Sequence, residues 1–152
     1  MTNTGFTIDD VLLTPLKVFN VPDGDVLHGI RSSDPGYMGF GEAYFSTIEY
    51  SKIKGWKRHF DMIMNLVVPV GSVRFVMHDT REQSRSHGNY QEVVISRDNY
   101  IRLTIPPMIW VAFQGMSKTE SVLLNISNIE HNQNEVEKKS IDRLDFDWGV
   151  IK

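Results

Sequence analysis

A chain of 152 residues with 41% hydrophobic and 23% charged residues has the composition of one globular domain, which excludes a disordered chain. Its formal net charge of -3 offers no basic stripe for nucleic acid, and the lack of cysteine excludes disulfides, thiolate nucleophiles and cysteine-based metal sites. No apolar run approaches the roughly 20 residues that span a bilayer, and the first residues do not resemble a signal peptide, so we expect a cytoplasmic protein without membrane contact.

A series of β-rich segments, each followed by a turn signal, runs through most of the chain. In chain order they cover residues 11–20, 25–31, 42–50, 53–71, 72–79, 90–96, 100–105, 109–115 and 121–127. The turns between them are rich in Asp, Gly, Asn and Pro, and no helical period competes before the C-terminal tail. The pattern predicts an all-β, antiparallel sandwich or barrel that forms one domain over residues 1–152.

Alternation within the segments predicts which side chains face the core. Val73, Phe75 and Met77 fall on one face of their strand, which is typical of an antiparallel sheet with one apolar face. The segment 121–127 is apolar on both faces, so we expect a second covering layer or a subunit contact there.

Two features predict how the chain turns and ends. Pro69 cannot donate to a ladder of hydrogen bonds, so its strand should end or bulge there before Gly71 turns the chain. The charged tail, residues 131–148, is predicted to form a short helix or an irregular arm that Phe146 and Trp148 hold in place.

The spacing before Gly71 tests for a metal site. Metal-binding cupins, a family of small β-barrels, carry His-x-His, then Glu, then Gly at fixed spacing. Counting back from Gly71 puts Met64 at the Glu position and His59 and Lys57 at the two His positions, while Val111 holds the position of a later His. One imidazole cannot hold a transition metal that needs three or four ligands, so we predict no metal.

Several further motifs keep a fixed order along the chain. They are Lys54-Gly55-Trp56-Lys57-Arg58-His59, Asn65-Leu66-Val67 with Gly71, His78-Asp79-Thr80-Arg81 with the Ser-containing loop that follows it, Ile95-Ser96-Arg97-Asp98-Asn99, and Ile105-Pro106-Pro107 through Phe113. From about residue 23 to residue 148, this series resembles the metal-free sugar-nucleotide branch of the cupins. That branch contains the deoxythymidine-diphosphate (dTDP) 4-keto-6-deoxyhexose 3,5-epimerases and the related 3,4-ketoisomerases.

The resemblance implies a cupin-type double-stranded β-helix, or jelly roll, that assembles as a homodimer and needs no cofactor. It implies a cofactor-independent epimerase that acts on a nucleotide-diphosphate 4-keto sugar, with a dTDP-sugar as the favoured substrate. The pathway implied is the biosynthesis of cell-surface polysaccharide, such as the O-antigen of lipopolysaccharide.

Two other functions stay open. A 3,4-ketoisomerase would use the same fold and base but move the carbonyl. A non-catalytic homologue that only binds a sugar nucleotide is favoured by the departures from the family pattern. In this chain Lys57 stands at the position of the family's catalytic His. The position of the tyrosine that acts as the acid in the family falls near Leu124 and Asn125. The family's C-terminal acidic segment has no clear counterpart.

Epimerisation beside a carbonyl needs a base for the C–H proton and a group that stabilises the enolate oxygen. His59 is the predicted base, because the unperturbed pKa of imidazole is about 6.5. In the family arrangement Asp79 would hold the ring in one tautomer, and Lys57 and Lys54 would stabilise enolate or diphosphate charge. The residues predicted to contact the substrate, besides Lys54, are Glu42, Tyr44, Asn65 and Asn125.

Several of these residues also have an ordinary structural interpretation. Lys57 is a candidate for a solvated or subunit-contact lysine, and Asp79 is a candidate for a turn with an ion pair to Arg81. Tyr44 in a strand is often a packing residue, and a lone histidine such as His59 is often an ordinary polar contact.

Overall fold

The computed structural model describes residues 6–149 and is built almost entirely from β-strands. In chain order the strands are β1 (Leu12–Pro15), β2 (Val18–Phe19), β3 (Val26–Leu27), β4 (Glu42–Ile48), β5 (Ile53–His59), β6 (Met64–Val70), β7 (Ser72–Asp79), β8 (Tyr90–Ser96), β9 (Ile101–Ile105), β10 (Ile109–Gly115), β11 (Ser121–Ser127) and β12 (Val136–Lys139). Short 3₁₀ turns at Gln133–Glu135 and Ile141–Arg143 flank β12.

The strands form two five-stranded sheets that face each other. The first sheet has the order β1-β9-β6-β11-β4, the second has the order β12-β5-β10-β7-β8, and β2 and β3 form a separate pair. The ladders in both sheets are antiparallel. This arrangement confirms the predicted all-β jelly roll. Among residues 6–149, no helix has the length and apolar character needed to cross a membrane.

The main core lies between the two sheets, where the predicted alternation is confirmed. Val73, Phe75 and Met77 of β7 are fully buried there, opposite Leu103 and Ile105 of β9. Because successive side chains of a strand point to opposite faces, these apolar residues form one inner surface in each sheet. Removing a buried aromatic side chain such as Phe75 from a core of this kind costs about 3–5 kcal/mol.

The predicted segment 53–71 contains two strands rather than one. The chain leaves β5 after His59, turns, and enters the other sheet as β6 at Met64. Glu135, far away in the sequence, holds this turn: its carbonyl oxygen accepts from the Phe60 N–H at 2.8 Å, and its carboxylate accepts from the Asp61 N–H at 3.2 Å. The local sequence could not show this turn, because its hydrogen-bond partner comes from the tail.

The end of β6 behaves as Pro69 and Gly71 predict. The ladder between β6 and β11 shifts register, since Val70 pairs with Val122 but Val67 pairs with Leu124. Gly71 then turns the chain with φ +83°, and a Cβ at this position would lie 2.3 Å from the Ser121 Oγ. The turn therefore needs glycine both for its backbone conformation and for the close approach of the neighbouring strand.

The C-terminal tail covers the outer face of the second sheet. Trp56 and Trp110 are 1% exposed there, and Phe146 and Trp148 of the tail pack against this cluster. The predicted anchoring by Phe146 and Trp148 is confirmed. The predicted short helix or irregular arm is wrong in part, because residues 136–139 form β12 by pairing with the edge strand β5.

The segment before β4 covers part of the outer face of the first sheet. Arg102 of β9 is completely buried beneath it and donates hydrogen bonds to the carbonyl oxygens of Gly29 at 2.9 Å and Pro35 at 2.8 Å. Each terminal nitrogen of the buried guanidinium thus has a carbonyl acceptor, and the segment is fixed over one end of the sheet.

Candidate active site

A cavity of about 510 Å³, counting its part open to solvent, lies between the inner faces of the two sheets. It is lined from the first sheet by Tyr44, Ser46, Met64, Leu66, Leu123 and Asn125, and from the second sheet by Lys54, Lys57, Val111 and Phe113. Its wall thus combines apolar side chains with polar ones, as is usual for small-molecule sites. Four predicted site residues, Lys54, Lys57, Tyr44 and Asn125, meet at this cavity.

A β-bulge brings two lysines to the same wall. Lys54 and Lys57 are three residues apart, so a regular strand would point them to opposite faces. The ladder of β5 with β10 shifts register, because Lys57 pairs with Val111 whereas Lys54 pairs with Phe113. Three steps on β5 therefore match two steps on β10, and both lysines line the cavity. The sequence alone did not reveal the bulge.

Lys57 lies in an environment that disfavours its charge. Burial lowers the pKa of Lys57 below its ordinary value, and the positive charges of Lys138 and Lys54 lower it further. Lys138 lies opposite Lys57 in the ladder between β12 and β5. Within residues 6–149, no carboxylate forms an ion pair with any of these three lysines. We refer to Lys54, Lys57 and Lys138 as the lysine cluster.

His59, two residues beyond Lys57 on the same strand face, is buried and does not line the cavity. Its Nδ1 is hydrogen-bonded to the Glu135 carboxylate, and its Nε2 is buried without a hydrogen-bond partner in residues 6–149. Burial would raise the pKa of Glu135, but the hydrogen bonds from His59 and from the backbone N–H groups of Asp61 and Met62 outweigh it and lower the pKa. Glu135, which sequence reasoning missed, is the carboxylate beside this imidazole.

The predicted contact between Asp79 and His59 is wrong. Asp79 is completely buried in a network of its own, where its carboxylate accepts from Arg81 Nε at 3.0 Å and from the hydroxyls of Ser84 and Ser86 at 2.6 Å. Burial would raise the pKa of Asp79, but these hydrogen bonds outweigh it and hold the pKa well below its usual range. Asp79 thus organises the loop after β7, as its interpretation as a turn with an ion pair predicts.

Asn65 does not reach the cavity either. Its neighbours Met64 and Leu66 line the cavity, and the alternation of a strand points Asn65 to the opposite face. There its amide donates to the Gly36 carbonyl at 3.0 Å and accepts from the Thr104 hydroxyl at 2.6 Å. Asn65 therefore does not line the cavity, and its side chain ties the segment before β4 to the sheet.

Glu42 and Tyr44 share the inner face of β4. The Oε1 atom of Glu42 is buried without a hydrogen-bond partner in the described part of the chain, and the residue is not part of the cavity wall. Tyr44 does line the cavity, and its hydroxyl oxygen accepts a hydrogen bond from Asn125 Nδ2 at 3.0 Å. The Oδ1 atom of Asn125 is also buried and unpaired within residues 6–149.

The donor set does not resemble a metal site. Residues 6–149 contain no group of three or more His, Asp or Glu side chains arranged to hold a metal ion. The polar groups of the cavity are instead amines, an amide and hydroxyls, which can bind anions and move protons.

Comparison with solved structures gives a close match over nearly the whole chain. A dTDP-sugar isomerase from Desulfovibrio desulfuricans is 34% identical, with a TM-score of 0.90, and the match covers 97% of this chain and 94% of that one. A dTDP-4-dehydrorhamnose 3,5-epimerase from Elizabethkingia anophelis is 17% identical, with a TM-score of 0.81 over 100% of this chain and 88% of that one. The second likeness concerns the fold alone.

Two curated proteins are related in sequence. A probable low-salt glycan biosynthesis epimerase of Haloferax volcanii is 27% identical over 142 residues, which cover 92% of this chain and 89% of that protein. A spore coat polysaccharide biosynthesis protein of Bacillus subtilis is 22% identical over 147 residues, which cover 94% of this chain and 97% of that protein. No protein-family model matches the sequence.

Proposed function

The chain belongs to the cupin family of nucleotide-sugar epimerases and isomerases, and on that basis we propose that it is a cofactor-independent epimerase of a nucleotide-diphosphate 4-keto sugar. The relatives named for glycan and spore coat polysaccharide biosynthesis support a role in making a cell-surface polysaccharide. A dTDP-sugar is the favoured substrate, because a dTDP-sugar isomerase is 34% identical over nearly the whole chain. The cytoplasmic location stays a prediction.

The observation that carries the proposal is the uncompensated Lys57 in the cavity wall. A general base for a C–H proton must be unprotonated at the working pH, which for a lysine means a neutral amine, and it must reach the substrate. Lys57 lines the cavity, and its lowered pKa increases the neutral fraction of its amine. We therefore propose Lys57 as the base, in place of the predicted His59, which lies outside the cavity wall.

In the proposed reaction, the Lys57 amine takes the proton from the carbon beside the keto group, and the electron pair of the C–H bond moves to form an enolate. Lys54, a cation in the cavity wall, stabilises the negative charge of the enolate and of the diphosphate. Lys138 lies outside the cavity wall, opposite Lys57 in the ladder, and adds positive charge at longer range. Lys54 lines the cavity wall, and its Nζ donates to the Thr47 carbonyl at 2.7 Å.

Solvent exchange tests the proposal. The protein is incubated with dTDP-4-keto-6-deoxyglucose in D₂O, and NMR follows deuterium at the carbons beside the keto group. We expect exchange in the wild type, a loss of about 100-fold or more in Lys57→Met, and no change in the control Lys118→Met, which replaces an exposed loop lysine. Exchange lost in His59→Gln but kept in Lys57→Met would return the base to His59.

The same experiment separates the alternatives. A 3,4-ketoisomerase would give a product whose carbonyl has moved, which ¹³C NMR detects directly. A non-catalytic homologue would bind the nucleotide sugar, as titration calorimetry measures, but would give neither deuterium exchange nor a new product.

We also propose that the protein forms a homodimer through the outer face of its first sheet. Phe45 is 69% exposed on this face, and Leu124 lies opposite it in register on β11. Met38 and Phe40, in the segment before β4, are also about two-thirds exposed at 66% and 65%. Large apolar side chains that are exposed to this extent favour a protein contact.

A further inference from the structure

The structure suggests where the missing catalytic acid of this chain is. Inversion at a carbon needs a base on one side of the substrate and an acid on the other. The position of the tyrosine that acts as the acid in the family falls near Leu124 and Asn125. Neither of these side chains can serve as a general acid. Alternation along β11 turns Asn125 into the cavity and Leu124 away from it.

Tyr44 occupies the space beside this position from the neighbouring strand. It lies opposite Asn125 in the ladder between β4 and β11, and both residues line the cavity. A phenol therefore stands next to the place where the family pattern puts one, although it comes from a different strand. No local feature of the sequence reveals this, because Tyr44 and Asn125 are 81 residues apart.

The hydrogen bond between the Asn125 and Tyr44 side chains orients the Tyr44 hydroxyl group. Asn125 Nδ2 donates to the Tyr44 hydroxyl oxygen at 3.0 Å, so the hydroxyl hydrogen is not used in that bond. The Tyr44 hydroxyl donates to no group in residues 6–149, which leaves its hydrogen available to a molecule in the cavity. The same Asn125 N–H would stabilise the phenolate after the proton has left.

We propose that Tyr44 is the general acid of the reaction and that Asn125 is its positioning residue. The inference rests on the proposed function. Lys57 projects from the second sheet and Tyr44 from the first, so the two groups approach a sugar in the cavity from opposite walls. When Lys57 removes a proton from one face of the carbon and Tyr44 delivers a proton to the other face, the configuration at that carbon is inverted.

The proton balance of this step is complete. The C–H proton goes to the Lys57 amine, which becomes an ammonium, and the hydroxyl proton of Tyr44 goes to the opposite face of the carbon. The enolate electron pair forms the new C–H bond and the carbonyl is restored. Tyr44 is left as a phenolate beside Asn125, and exchange with water returns both side chains to their starting states.

A comparison of inversion with exchange tests the inference. With dTDP-4-keto-6-deoxyglucose in D₂O, the Tyr44→Phe variant keeps Lys57, so deuterium should still enter the substrate within about tenfold of the wild-type rate. Inversion should fall by about 100-fold or more, because the acid is gone. Retained exchange also shows that this variant is folded. Tyr100→Phe is the matched control, since the Tyr100 hydroxyl donates to the His28 carbonyl outside the cavity.

Asn125→Leu tests the positioning role. We expect kcat for inversion to fall by about tenfold, while KM and the exchange rate stay within about twofold of wild type, because only the reprotonation step uses the oriented phenol. A purely structural role would lower exchange and inversion together.

Three results would overturn the inference. Normal inversion by Tyr44→Phe in an active enzyme would remove Tyr44 from the reaction and leave the proposed function intact. Equal loss of exchange and inversion in that variant would make Tyr44 a binding residue. Absence of exchange in the wild type would instead overturn the proposed function, and this inference with it.

Discussion

Lys57 and Lys138 lie opposite each other in the ladder between β5 and β12, and no carboxylate pairs with either within residues 6–149. Two neighbouring cations without a counter-ion raise the free energy of the protein when both are charged. This arrangement favours both a neutral Lys57 and the binding of an anion, which are the two properties that the proposed reaction requires.

The lowered pKa of Lys57 predicts the pH dependence of exchange. A base must be unprotonated, so the rate should rise with pH until the pH passes the pKa of Lys57. Burial and the neighbouring cations lower that pKa, so the rise should occur below the pH at which an ordinary lysine titrates. The measurement is the rate of deuterium exchange at low substrate concentration against pH. A rate that is flat through this range would contradict the role of Lys57.

Lys138→Met should change both binding and the pH profile. Removing one positive charge weakens binding of the diphosphate, so we expect the Kd for dTDP to rise by about threefold to tenfold at low salt, and by less at high salt. It also relieves the repulsion on Lys57, whose pKa should rise, so the ascending limb of the exchange profile should move to higher pH.

Lys118→Met removes the same charge from an exposed loop and is the matched control for Lys138→Met. Lys118→Met should leave unchanged both the Kd for dTDP and the pH range over which the exchange rate rises. An identical effect in both variants would show that net charge, rather than the position of Lys138 beside Lys57, is responsible.

Asp79→Asn should lower the stability of the protein and leave the rate of the reaction nearly unchanged. The carboxylate of Asp79 accepts hydrogen bonds from Arg81, Ser84 and Ser86, and an amide cannot accept all of them, so the free energy of unfolding should fall by about 1–3 kcal/mol. Because Asp79 does not contact His59 or the cavity, the exchange rate of folded protein should stay within about threefold of wild type.

The pH dependence of stability gives a second measurement for Asp79. Its pKa is lower in the folded protein than in the unfolded chain, so its contribution is present above the unfolded pKa and is lost as the pH falls through the folded pKa. Urea unfolding from neutral to acidic pH should therefore show a smaller loss of stability in Asp79→Asn than in wild type. A loss of exchange without a loss of stability would return Asp79 to the catalytic site.

Phe45→Glu should dissociate the proposed dimer. A charge on the exposed apolar face would have to be buried in the dimer without a counter-ion, so we expect a monomer in sedimentation velocity at micromolar concentration. Phe19→Glu replaces an exposed phenylalanine of β2, outside the first sheet, and should leave the dimer intact. A monomeric wild type, or a dimer in both variants, would contradict the proposed interface.

Much of the fold could be predicted because its signals are local. Alternating residues such as Val73, Phe75 and Met77 indicate which face of a strand is buried, and Gly71 indicates a turn, without knowledge of the rest of the chain. The motif Lys54-Gly55-Trp56-Lys57-Arg58-His59 also placed two lysines near the candidate site from its order among the other motifs. Failures began where a role depended on a contact between distant residues.

His59 and Asp79 illustrate this limit. Their places in the family arrangement suggested a pair, but the imidazole is held by Glu135, which is 76 residues away in the sequence. The tail that carries Glu135 has a polar sequence with no β-pattern, and it becomes a strand only because the edge of β5 offers hydrogen-bond partners. Asn65 differs from its predicted position for another reason: it points to the outer face of β6, whereas its sequence neighbours Met64 and Leu66 line the cavity.

The sequence by itself determined the all-β class, the alternation of buried faces, the family and the lack of a cysteine-based site. These features depend on residue type and on the two-residue period of a strand, which every segment carries within itself. Only the tertiary structure decided that a bulge turns Lys54 and Lys57 to one wall, that Lys138 stands beside Lys57, and that Tyr44 adjoins Asn125. The physical reason is that register between strands is set by packing and hydrogen bonds across the whole barrel, and a single segment contains neither.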